Sequence, residues 1–180
     1  ATLINADTSD GLKLTSDTSG LIEFQSAGVT KATVSSSGLT SPGHILQVVN
    51  ATYTTATSTT SASLVDTGLS ASITPSSITS KVLVFVNLAG LFSSSATVGQ
   101  FSITDGSNNI LLDFEGLTAY GIAANLSFGE VGTNYLHSPA TTSSFTYKVR
   151  MKNVAGTGIS INAVTSGVST STITLMEVAA

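Results

Sequence analysis

Lys81-Val82-Leu83-Val84-Phe85-Val86 is an unbroken apolar run behind one lysine, and its reading decides the fold class. Three valines and a phenylalanine in six residues favour the pleated chain, which accommodates β-branched and aromatic side chains well. The apolar positions are contiguous, with no i, i+3, i+4, i+7 spacing to suggest a helix. A run of this kind predicts a strand covered on both faces, at the centre of a sheet or at a subunit interface. The stretch continues to Phe92 but is broken by Asn87. It falls far short of the ~20 apolar residues that a membrane helix needs, so no membrane insertion is expected.

Outward from this run the same chemistry recurs. Phe145, Tyr147, Val149 and Met151 alternate with Thr146, Lys148, Arg150 and Lys152. That is the period-two pattern of a half-buried strand with a basic outer face. Asp105-Gly106-Ser107-Asn108-Asn109 lies between Phe101-Ser102-Ile103 and Ile110, a hairpin signal in which Asp-Gly supplies positive φ angles. Strands are predicted at 45–53, 63–67, 70–74, 81–92, 100–104, 110–114, 121–131, 144–152, 158–164 and 171–178. No window concentrates Leu, Glu, Lys and Ala at helical spacing. The chain is therefore expected to be all-β, and so many strands between residues 42 and 180 fit a two-sheet jelly roll.

Composition narrows the function classes. Charged residues make up 9% of the 180, against ~25% in ordinary globular chains. Serine and threonine make up about a third. A surface of hydroxyls suits a protein outside cells, or one largely covered by copies of itself. The net charge of -4 argues against nucleic acid, whose binding needs a basic patch. There is no cysteine, hence no disulfide and no thiolate metal site. The first residues show no basic, then apolar, segment of the kind that directs secretion.

Residues 1–41 read differently from the rest. Gly11-Leu12, Gly20-Leu21, Gly28-Val29 and Gly38-Leu39 form a loose repeat, with short alternating segments between serine-rich turns. Each unit is too small to bury its own apolar side. Two arrangements would shelter it: three chains wrapped about an axis, or hairpins packed on the main domain. Pro42-Gly43 ends the pattern and marks a boundary, giving a stalk or attachment segment at 1–41 and a head at 42–180.

These residues resemble a known group. Ser16-Asp17-Thr18-Ser19-Gly20-Leu21-Ile22-Glu23-Phe24 and Val29-Thr30-Lys31-Ala32-Thr33-Val34-Ser35-Ser36-Ser37-Gly38 look like the repeats that precede the tips of tailed-phage fibres. Ile45-Leu46-Gln47-Val48-Val49-Asn50, the segment from Asp66 to Pro75, and Ser80-Lys81-Val82-Leu83-Val84 resemble the head domains that follow them in phages of marine bacteria and cyanobacteria. The resemblance implies a homotrimer with a short β-rich stalk and a jelly-roll head, similar in architecture to tumour-necrosis-factor-like trimers. It implies a place on the virion surface, on a tail fibre, head spike or capsid decoration. It also implies contact with other virion proteins through the N-terminal segment, and adhesion of the head to a host surface glycan.

Chemistry-bearing residues are few. No catalytic residue, metal ligand or cofactor site is assigned. His44 follows the Pro42-Gly43 boundary, and His137 lies in a segment read as a loop. No serine occupies a Gly-x-Ser-x-Gly elbow. Asp113 and Glu115 are two apart on a strand, the weak basis for a glycan depolymerase, which needs a carboxylate pair. The Asp105–Asn109 turn offers oxygen ligands of the type calcium prefers, without EF-hand spacing. Lys148, Arg150 and Lys152 hold three of the six basic residues on one strand face. They suit an anionic ligand, or a solubilising edge strand. Tyr120 and Tyr135, read as loop residues, are the candidates for stacking on a sugar, with packing as the alternative.

Overall fold

The structure, a computed structural model, describes residues 18–36, 38–119, 126–163 and 169–180. Among these residues run thirteen strands: β1 Ile22–Ser26, β2 Val29–Ser35, β3 Gly38–Thr40, β4 Ile45–Tyr53, β5 Thr57–Thr59, β6 Val65–Ile73, β7 Lys81–Ser93, β8 Thr97–Asp105, β9 Ile110–Ala119, β10 Leu126–His137, β11 Phe145–Gly156, β12 Ile159–Ile161 and β13 Ser171–Val178. The fold is all-β, a sandwich of antiparallel sheets.

β1, β2 and β3 form a separate three-stranded meander. Gly20, Gly28 and Gly38 each take a positive φ in its turns, so three of the four repeat glycines serve as corners. Gly11 lies outside the described residues. The head consists of one sheet in the order β4-β13-β7-β12-β5, with β10 paired to the free side of β7, and a second sheet in the order β6-β11-β8-β9. Facing layers β4-β13-β7-β10 and β6-β11-β8-β9 give the eight strands of a jelly roll.

Alternation builds the core. Val82, Val84, Val86 and Leu88 of β7, with Ile173 and Leu175 of β13, meet Leu69 and Ile73 of β6, Phe101 and Ile103 of β8, and Tyr147, Val149 and Met151 of β11. Each such side chain, fully buried, contributes about 1.5–3 kcal/mol of transfer free energy. The 81–86 run is central, as its sequence predicts, but it is not covered on both faces. Phe85 is 40% exposed and Leu83 half-buried, because one side of this sheet packs on the other layer and the opposite side has no layer over it among the described residues. The two segments predicted at 63–67 and 70–74 are one strand, β6, whose pairing with β11 slips around Gly68. β5 was not predicted, since Thr57-Ser58-Thr59 carries no apolar alternation.

The junction is tied to the end of the chain. Gly43 N donates to Ala179 O at 2.9 Å, and Ala179 N donates to His44 O at 2.9 Å. The His44 backbone therefore anchors the head where the meander joins it.

Candidate functional site

β11 lies between β6 and β8, so the basic stripe sits on an interior strand and is not an edge device. Period two turns Lys148, Arg150 and Lys152 to the outer face of the four-stranded sheet. Asp66 of β6 engages two of them. Lys148 Nζ stands 2.7 Å from Asp66 Oδ2, and Arg150 Nε stands 2.8 Å from Asp66 Oδ1. Arg150 Nη2 also donates to Leu64 O at 2.7 Å, and Lys148 Nζ to Asn108 Oδ1 at 2.9 Å. Lys148 and Arg150 are thus held in the sheet by internal acceptors. Lys152 forms no ion pair among the described residues.

Tyr135 and His137 lie on strand β10 and not in a loop. Both half-buried rings face inward at one end of the sandwich, in a cluster that joins the two layers. Their ring centroids are 5.8 Å apart, and His137 stands 5.2 Å from Phe145 and 5.7 Å from Tyr147. His137 Nδ1 and the Tyr147 hydroxyl are 2.9 Å apart. Burial lowers the His137 pKa, with Asp105 acting weakly the other way, and raises that of the buried Tyr147 phenol. Such a cluster fills space between sheets and leaves Tyr135 little free ring face for a sugar. Tyr120 lies outside the described residues.

Asp105 and Asp113, outside these networks, are also occupied. Asp105 Oδ1 accepts from Ser107 N and Asn109 N, and its Oδ2 accepts from Asn109 Nδ2. The bonds from Asn109 lead in lowering its pKa. The loop offered above to calcium uses its one carboxylate to close its own turn. Asp113 accepts from Ser102 Oγ at 2.5 Å. The Glu115 side chain lies outside the described part. Among the described residues, no three His, Cys, Asp or Glu side chains gather as a metal site would require.

A buried charge escaped the sequence reading. Glu177 is fully buried on β13, in phase with Ile173 and Leu175. Its Oε1 accepts from Ser76 N and Ser76 Oγ, both at 2.7 Å, and its Oε2 from Gln47 Nε2 at 2.6 Å. Ser80 Oγ, also buried, finds no partner at hydrogen-bond geometry yet lies near enough to favour the charged form. Burial pushes the carboxyl up, but the donors Gln47, Ser76 and Ser80 outweigh it, and the pKa falls below the ordinary value. These groups line a half-open cavity of about 310 Å³ at the meander end of the head. The signal was present: a glutamate at an inward position of an alternating strand needs local donors.

The open side of the six-stranded sheet carries a further pattern. Register places Val48, Met176, Leu83 and Leu136 in one row across β4, β13, β7 and β10. The next row, away from the meander, is Asn50, Thr174, Phe85 and Asn134. The row at the meander end holds Ile45, Val178 and Lys81. Val48 is 56% exposed and Leu136 50%.

No protein-family model matches this sequence, and no curated protein matches it. Among solved structures, it is similar to "Structure of infectious bursal disease virus Gx strain" at 14% identity and a TM-score of 0.36. That alignment covers 87% of this chain and 46% of the other, so the match spans under half of that chain's length. A likeness this loose carries no conclusion about function.

Proposed function

We propose that the chain is a non-catalytic structural subunit of a virus particle: a homotrimeric fibre, head spike or capsid-decorating protein of a tailed phage. The N-terminal segment joins it to other virion proteins, and the head stands at the particle surface. The observation that carries this reading is the meander. Leu21, Phe24, Val29 and Leu39 all stand exposed on or beside its short strands, uncovered by their own head. Three short strands with bare apolar side chains are marginal in water and are stabilised when a neighbour covers them. Copies of the same chain around an axis supply that cover, and the resemblance of this segment to fibre repeats supports the same arrangement. Light scattering of the full chain in native buffer should give about three times 18.1 kDa. A monomer at tens of micromolar would remove the basis of the proposal.

Adhesion of the head to a host surface polysaccharide belongs to the same reading. Lys152 favours it, as the stripe residue whose ammonium is not already paired among the described residues. Lys152→Glu should weaken retention on an anionic polysaccharide, while Asp66, Lys148 and Arg150 keep the sheet intact. Unchanged retention would dismiss the stripe as a ligand surface.

A further inference from the structure

We infer that the open face of β4-β13-β7-β10 is the head's own packing surface, and that its occupants are two further copies of this chain closed about a threefold axis. This rests on the self-assembly proposed above and names the surface that serves it.

The first argument is the pattern of the face. A sheet face turned to solvent alternates polar residues outward. Here Val48, Met176, Leu83 and Leu136 form an unbroken apolar row across four strands, with Phe85 beside it. Asp and Glu are absent from these two rows, and Lys81 stands at the end, where its stem can cover apolar surface while its ammonium reaches the rim. The second argument is continuity. Apolar residues crowd the end where β4 leaves the meander, whereas Asn50, Thr52, Thr174 and Asn134 occupy the part farther along. The apolar part of the face therefore adjoins the segment that carries Leu21, Phe24, Val29 and Leu39.

The third argument is size. Four strands at ~4.8 Å spacing make a face roughly 19 Å wide. Three such faces closed as a triangular prism lie about 5.5 Å from the axis, close to half the ~10 Å at which sheets pack. Side chains of the middle strands, Met176 and Leu83, then fill the axis. A face of about 19 by 20 Å is smaller than the ~800 Å² per partner of a stable interface. The meander contact supplies the remainder.

The prism makes a specific demand. β4 of one copy must lie beside β10 of the next, so Val48 of one chain neighbours Leu136 of another. Within one chain these residues are three strand spacings apart, about 14 Å. The full chain has no cysteine, so a V48C/L136C variant carries a clean pair of thiols. Treated with a thiol cross-linker too short to span one chain, it should form covalent dimers and trimers on a denaturing gel, while V48C and L136C alone remain monomeric. V48D/L136D should raise the concentration at which trimers dissociate at least tenfold, with an unchanged far-ultraviolet spectrum. If the double-cysteine trimer does not cross-link, this face is not the interface, although self-assembly survives. If V48C alone gives covalent dimers, the faces meet about a twofold axis and the prism is wrong. If the unmodified chain is monomeric, both this inference and the self-assembly reading fall.

Discussion

Gly68 and Tyr53 show how one absent side chain shapes a strand. Gly68 sits in β6 at φ 97°, and a Cβ there would come within 2.3 Å of the Tyr53 ring. The Gly68→Ala chain should lose about 2–4 kcal/mol in urea unfolding, from left-handed strain and a displaced ring together. A loss below ~0.5 kcal/mol would mean that the ring moves freely. Glu177 makes a second test. Its folded pKa lies below the ordinary value, so its contribution is complete above the unfolded carboxyl pKa and is lost as pH falls through the folded one. Glu177→Gln should therefore flatten the decline of stability below about pH 4.5. Glu177→Ala, which strands the donors of Gln47 and Ser76, should cost about 2–4 kcal/mol at pH 7.

At the scale of elements, alternation made most of the head legible. β4 and β13 match their predicted bounds, and β7 and β11 start within a residue of theirs. The failures share a cause: period and propensity describe a strand but not its partners. A glycine inside β6 reads as a turn when the ring that occupies its empty side is fifteen residues away. Leu136 and His137 before Ser138-Pro139 read as loop, because the pairing of β10 with Val82 and Leu83 is long-range. The basic stripe was visible, yet Asp66, which neutralises it, lies on another strand. β10 and β11 also carry a pH test. His137 has a lowered pKa, so protons bind the unfolded chain more readily, and stability falls as pH drops below about 6.5. His137→Gln should remove that part of the decline between pH 7 and 5; an unaltered profile would place the titration elsewhere.

For the whole molecule, two ion pairs among the described residues, both on Asp66, leave little for salt to screen. If the copies are held by apolar faces, raising sodium chloride from 0.05 to about 1 M should leave the assembly intact in light scattering. Dissociation at high salt would point to charge-held contacts instead. β13 adds a consequence of another kind. It lies between β4 and β7, yet it is made after both. While a ribosome extends the chain, the slot between those two strands stays empty, and the sheet cannot close until residue 178 has left the exit tunnel. Closure of each subunit thus waits on the synthesis of β13, and a message cut short before Ser171 would yield a product with two unpaired strand borders, prone to capture by chaperones or to clumping.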